Sequence, residues 1–153
     1  MNVEEQIEAY IGSLPEKKQR ELRDLHQLAL GISPDCRLWL LDGRDSEGKI
    51  VSNPNIGYGE QTIDYADGKT REFYQLGLSA NTTGISLYLI GLDDKTYLAR
   101  TFGARLGKAS VSGYCIKFRS LADLDRAVLE EMFRFGLGER DEAVEPTVTR
   151  APA

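Results

Sequence analysis

The chain has 153 residues, a length that fits one domain of ordinary size. Its composition, 41% hydrophobic and 28% charged, is typical of a globular protein. The net charge of −5 lacks the basic excess that nucleic acid or an anionic membrane surface would require, so we expect neither as a partner.

Two helices are predicted at the beginning of the chain. Apolar residues from Val3 to Ile11 recur at the spacing of one helical face, and this helix is expected to end near Gly12. A second helix follows it. Ser13 and, three residues later, Glu16 have the spacing of a capping box, which predicts that Ser13 caps this second helix.

The middle of the chain changes to the alternating pattern of β-strands. Asp67 and Gly68 lie between the strand-like stretches "QTIDY" and "REFYQLGLSA", and this arrangement predicts a hairpin. Within the second stretch, Tyr74, Leu76 and Leu78 are expected to share one face of the strand. Short strands of this kind, joined by turns, predict an antiparallel meander of about five strands.

A last strand, "VSGYCIKF", precedes a helix that we expect to begin at Ser120 and to pack on the sheet. Residues 139–153 have no periodicity and are expected to be disordered. The predicted fold is therefore one α+β domain over residues 1–138, with two N-terminal helices, the meander and a C-terminal helix.

Location and redox state follow from what the sequence contains. The acidic N-terminal stretch differs from a signal peptide, and no segment approaches the ~20 apolar residues that span a bilayer, so we expect a cytoplasmic protein. Cys36 and Cys115 lie far apart without the spacing of a metal or redox motif. We expect both to be reduced and buried.

Two glycine-containing stretches could approach a ligand. Gly57 and Gly59 flank Tyr58 but lack the third glycine of a dinucleotide-binding loop; they permit either a bulge or the close approach of a ligand to Tyr58. In "GARLGKA" the glycines are one residue too close for a phosphate loop, and Ala109 replaces the hydroxyl that binds magnesium. Lys108 is then either a solvated cation or a contact for an anionic ligand.

Five stretches, taken together, resemble the DUF1801 family, also called YdhG-like. They are "AYIGSLP" (9–15), "IGYG" (56–59), "ISLY" (85–88), "LGK" (106–108) and "YCIKF...LADLD" (114–125). The resemblance implies a compact α+β domain with an antiparallel sheet against helices. It implies no settled biochemical function, although some relatives are labelled frataxin-like iron chaperones.

We expect no cofactor, and iron is the alternative that the family resemblance suggests. Glu4, Glu5 and Glu8 lie close together on the polar side of the first helix and could share a cation through carboxylate oxygens. The same residues also suit a solvated face near a helix N-terminus. His26, the only histidine, has no partner for a zinc site and is expected at the margin of its helix, hydrogen-bonded to a neighbour.

These observations lead to a ranked set of functions. The first is a non-enzymatic module that binds an unknown small ligand or protein partner, as a monomer or homodimer. The second is the iron-binding chaperone, and the third is an enzyme that uses Cys115 beside Lys117. For the first, the predicted ligand-binding residues are three tyrosines on a concave sheet face and two lysines: Tyr58, Tyr88, Tyr114, Lys108 and Lys117.

Overall fold

The computed structural model describes residues 2–92 and 94–138, so the predicted tail at 139–153 lies outside the described residues. It contains four α-helices, together with a π-helical turn at Ala99–Gly103 and a 3₁₀ turn at Leu121–Asp123. The helices are α1 (Val3–Gly12), α2 (Glu16–Ile32), α3 (Ala104–Leu106) and α4 (Arg126–Gly136).

Eight strands form one six-stranded antiparallel sheet and one separate hairpin. They are β1 (Leu38–Leu41), β2 (Asn55–Tyr58), β3 (Gln61–Asp64), β4 (Thr70–Phe73), β5 (Leu76–Ala80), β6 (Ile85–Leu89), β7 (Ser110–Ser112) and β8 (Cys115–Phe118). The large sheet has the order β1-β2-β5-β6-β8-β7, and β3 pairs with β4 alone. The predicted α+β class is confirmed, while the sheet has one strand more than the expected five and β8 lies between β6 and β7.

A single hydrophobic core joins the helices to one face of this sheet. It unites buried residues of α1, α2, α3 and α4 with alternate residues of the strands, such as Ile56, Leu78, Leu87 and Ile116. The α4 helix packs closely there, because a Cβ added at Gly136 would lie 3.2 Å from the Leu89 side chain. The strand periodicity of two thus gives the sheet one apolar side that the helices cover.

The two N-terminal helices form where the sequence predicts them, but their caps differ. In α1, Asn2 and Glu5 form the capping box, and the helix ends at Gly12 as predicted. The Ser13 hydroxyl instead donates to the carbonyl of Tyr10, at the end of α1, so the prediction that it caps α2 is wrong. Pro15 precedes α2 without a side-chain cap.

The C-terminal helix also begins later than predicted. Ser120 precedes the 3₁₀ turn, and α4 starts at Arg126 with Asp125 as its cap. The Asp125 carboxylate accepts hydrogen bonds from the amides of Ala127 and Val128. A carboxylate suits this position because it satisfies amides that lack partners within the helix.

The predicted Asp-Gly hairpin is confirmed as the turn between β3 and β4. Gly68 has a φ of +88° and donates its amide to the carbonyl of Tyr65, while Tyr65 donates to Lys69. Such a turn needs a left-handed residue, which glycine adopts at little cost. The sequence "DSEGK" at residues 45–49 forms the same turn, with Gly48 at a φ of +82°.

One long-range hydrogen bond ties α1 to the sheet. The hydroxyl of Tyr10 accepts from the amide of Ala80 at the end of β5, at 3.0 Å. This amide lies beyond the residues that pair with β2, so the side chain supplies a partner that the neighbouring strand does not. None of the described helices is long and apolar enough to cross a membrane.

Candidate functional site

The strand pairing places two rows of side chains on the face of the sheet opposite the hydrophobic core. We call this face the uncovered face. The first row has one residue on each of the six strands, in the order Trp39, Gly57, Gly77, Tyr88, Cys115 and Ser112. The second, which we call the polar row, contains Ser79, Ser86, Lys117 and Ser110. Alternation along each strand keeps both rows out of the core.

Tyr74 lies on the uncovered face above a pair of glycines. Gly57 pairs directly with Gly77, and a Cβ added to either would lie within 2.7 Å of the Tyr74 ring. The tyrosine is 4% exposed because its ring lies against this bare backbone. The expectation that Tyr74 shares a face with Leu76 and Leu78 is wrong, because β4 ends at Phe73 and the alternation does not continue into β5.

The rings of three aromatic residues form a cluster around this glycine pair. Phe73 stacks on Tyr74 with ring centroids 4.2 Å apart, and Trp39 meets Phe73 edge-on at 5.9 Å. Two guanidinium groups cover the outer rings: Arg37 lies 3.8 Å from the centroid of Trp39, and Arg71 lies 4.3 Å from that of Phe73. The cluster is a packed aromatic wall on the uncovered face, with cations at its rim.

Gly59, the second glycine of "GYG", is required by its backbone conformation and by a close neighbouring side chain. Its φ is +87°, and a Cβ there would lie 2.2 Å from the side-chain oxygen of Gln75. Its carbonyl accepts a 2.8 Å hydrogen bond from the indole of Trp39. Both glycines of this stretch are therefore explained by the close approach of side chains from the same chain, Tyr74 at Gly57 and Gln75 at Gly59.

Tyr58 lies on the core side of the sheet and not on the uncovered face. It is 0% exposed, and its hydroxyl lies 2.6 Å from Nδ1 of His26 on α2. Burial raises the pKa of Tyr58 well above its ordinary value and lowers that of His26. The tyrosine hydroxyl therefore keeps its proton and shares a hydrogen bond with the imidazole, which confirms the expected hydrogen-bonded histidine.

The structure does not bring the five predicted ligand-binding residues to one place. Tyr88 and Lys117 share the uncovered face, at diagonal positions of β6 and β8. Tyr58 lies on the opposite face, and Tyr114 lies in the turn between β7 and β8, where its carbonyl accepts from Leu89. Lys108 is exposed in the segment before β7. Only two of the five can contact the same ligand on the uncovered face.

The β5 and β6 members of the polar row are buried, whereas Lys117 and Ser110 are exposed. Ser79 and Ser86 are 3% and 2% exposed, although both lie outside the hydrophobic core. The Ser79 hydroxyl donates to the carbonyl of Pro54 at 2.7 Å, and Ser86 accepts from the Asn81 amide at 3.3 Å. The row therefore changes from buried hydroxyls on β5 and β6 to an exposed cation on β8, at a position diagonal to Tyr88.

The two cysteines are half-buried and favour the thiol form. Burial raises the pKa of Cys115, against the opposing effect of the Lys117 ammonium. Burial also raises the pKa of Cys36. A raised pKa leaves little thiolate at neutral pH, and a thiolate is the form that attacks electrophiles.

The carboxylates of the predicted iron site make other contacts. Glu5 belongs to the capping box of α1, and Glu8 pairs with Arg23 of α2. Within residues 2–92 and 94–138, no group of three metal-ligating side chains is gathered. Iron binding through Glu4, Glu5 and Glu8 stays a prediction, tested by iron titration of the triple glutamine variant.

Sequence reasoning missed the residues that shape the uncovered face, above all Trp39, Phe73 and Arg119. Nothing local in the sequence shows that two glycines will pair beneath a tyrosine ring, or that Trp39 and Phe73 will gather around them. Period-two alternation does place Tyr88 apart from Leu87, and it is the signal that identifies this face.

In the comparisons with known proteins, no family model, no curated protein and no solved structure matches this chain.

Proposed function

We propose that the chain is a non-enzymatic binding module that holds a small ligand on the uncovered face of its sheet. The observation that carries the proposal is the placement of the half-buried Tyr88 ring diagonal to the exposed Lys117, on the sheet face opposite the hydrophobic core. All four helices contribute to the core on the other face, and an aromatic wall with cations stands at one end of the uncovered one. Binding sites commonly combine apolar walls with a few placed polar groups in this way.

A small ligand fits this surface better than a flat protein partner. Tyr88 and Lys117 occupy diagonal positions on neighbouring strands, a spacing that one small molecule can span. A ligand one ring wide could lie against Tyr88 and contact the Lys117 ammonium at the same time. A protein partner or a second copy of the chain remains an outcome that the test can reveal.

Binding fits the chemistry of the face better than catalysis. The raised pKa of Cys115 disfavours a nucleophilic thiolate, which is what the enzyme hypothesis with Lys117 requires. The resemblance to the DUF1801 family stays a prediction, and it implies no activity that contradicts a binding role.

The test is a fragment screen read by two probes of the uncovered face. Trp39 is the only tryptophan, so its fluorescence reports on this face, and amide shifts map contacts residue by residue. Fragments with a flat ring are expected to shift the amides of Tyr88 and its strand neighbours. Tyr88→Ala should weaken binding about fivefold, the loss of one aromatic contact.

Tyr65→Ala is the matched control, because Tyr65 is an exposed tyrosine in the turn between β3 and β4. It should leave the affinity unchanged. Fragment shifts confined to the helices, or equal losses in the two variants, would contradict the proposal. A change in oligomeric state on Tyr88→Ala would indicate a protein interface instead.

A further inference from the structure

A small cavity opens at the end of β8, next to the polar row. Its volume is about 130 Å³. It is lined by Asn81, Thr83, Gly84, Ile85, Lys117, Phe118 and Arg119. These residues include two cations, and no carboxylate is among the described residues that line the cavity.

Arg119 differs from the other arginines in the described part of the chain. Seven arginines pair with carboxylates. Of the other three, Arg44 donates to a backbone carbonyl and Arg71 lies over the Phe73 ring, which leaves Arg119. Within the described residues, Arg119 makes neither an ion pair nor a side-chain hydrogen bond, and Lys117 makes neither as well. Two unneutralised cations at one cavity produce a local positive potential in a chain of net charge −5.

The opposite wall of the cavity is fixed by its own hydrogen bonds. The Asn81 side-chain oxygen accepts from the amide and hydroxyl of Thr83 and from the amide of Gly84. Gly84 allows close contact with β8, since a Cβ there would lie 2.0 Å from the carbonyl oxygen of Phe118. A preorganised wall lowers the entropy cost of binding because the turn is already ordered.

We propose that this cavity binds the phosphate group of the ligand, with Lys117 and Arg119 as the charged contacts. The proposal rests on the proposed function, because Lys117 joins the cavity to the polar row beside Tyr88. Guanidinium and ammonium groups together are the usual protein partners of phosphate oxygens. The volume admits a compact anion, and the ring of the ligand would lie beside Tyr88 on the uncovered face.

The direct test uses inorganic phosphate as the probe, titrated into the labelled chain at constant ionic strength against sodium chloride. Saturable shifts are expected at the amides of Gly84, Lys117 and Arg119. Lys117→Gln and Arg119→Gln should each weaken phosphate binding about tenfold, the effect of one charge-assisted contact. The double variant should show no saturable shift.

The control is Lys17→Gln, an exposed lysine on α2 that should leave phosphate binding unchanged. The same shifts with chloride, an absence of saturation, or full affinity in the double variant would overturn the proposal. All of these substitutions replace exposed cations, and circular dichroism checks that each variant folds.

Phenyl phosphate and inorganic phosphate separate a phosphorylated ligand from the free ion. Phenyl phosphate should bind more tightly than phosphate and lose this advantage in Tyr88→Ala. If ring fragments bind the uncovered face and phosphate does not bind, the anion site is wrong while the proposed function holds. If phosphate binds and the ring adds nothing, the binding role of the uncovered face is wrong and the cavity takes the free ion only.

Discussion

The two faces of the six-stranded sheet come from the same strands and differ in how their space is filled. On the core face, large apolar residues such as Leu78 and Leu87 are covered by helices. On the uncovered face, the residues that precede these two leucines are the small Gly77 and Ser86. The larger rings on this face belong to Trp39 and to residues near the β3–β4 hairpin. Helices cover one face of the sheet, and side chains that lie along the strands cover part of the other.

This difference separates stability from recognition within one sheet. Close packing of fully buried leucines leaves the core face no room for a ligand. On the uncovered face Tyr88 is half-buried and Lys117 is exposed, so substitutions at these two positions should alter binding with small effects on folding. Neighbouring residues on one strand therefore allow direct comparisons between the two faces.

The largest effect is expected from Leu87→Ala on the core face. Leu87 is fully buried, so the loss of its side chain and the cavity left behind should lower the free energy of unfolding by about 2–5 kcal/mol. Ser86→Ala, one residue away on the other face, should cost about 1 kcal/mol through its single hydrogen bond. Urea denaturation measures both, and equal losses would remove the distinction between the faces.

An intermediate effect is expected from Gly57→Ala on the uncovered face. The new methyl group would lie 2.5 Å from the Tyr74 ring and should cost about 1–3 kcal/mol of stability, because the ring must move. In a Tyr74→Ala background the same substitution should cost much less. Gly31→Ala, in a helix with no described atom within 4 Å of the added Cβ, is the control and should not destabilise.

The smallest effect is the pH dependence contributed by His26 on the core face. Its pKa in the folded protein lies below its ordinary value of 6.5, because burial disfavours the imidazolium, while Glu8 and Arg23 act in opposite directions. The unfolded chain therefore binds this proton more readily. Stability should be full above pH 6.5 and decrease as the pH falls from there through the lowered pKa.

Thermal unfolding between pH 7.5 and 5, in both the original chain and His26→Gln, measures this contribution. The glutamine variant should lose the part of the slope that lies just below pH 6.5. An identical slope in the two proteins would show that the Tyr58 hydrogen bond does not depend on the charge of His26.

Local patterns in the sequence predicted local structure well. The end of α1 at Gly12 and the turn at Gly68 are confirmed, because helix termination and left-handed turns depend on a few neighbouring residues. The face of Tyr58 could not be derived in the same way. It depends on pairing with Leu76, eighteen residues away, and on the helix that covers the pair.

The candidate site was less predictable than the fold for a similar reason. Tyr88 and Lys117 were identified in advance, but their relation depends on the register of β6 against β8. The role of Arg119 depends on its lying at the cavity without an ion pair among the described residues. A sequence shows which charges are present and not which of them are paired.

The hydrogen bond between Tyr10 and Ala80 has a consequence for the order of events during synthesis. The two residues are 70 positions apart, so α1 leaves the ribosome long before the strand that it binds. At typical elongation rates of about 5–20 residues per second, several seconds pass before β5 emerges. Until then α1 has no complete sheet to dock on, and Ile7 and Ile11, which are buried in the folded protein, have only α2 and the first strands to pack against.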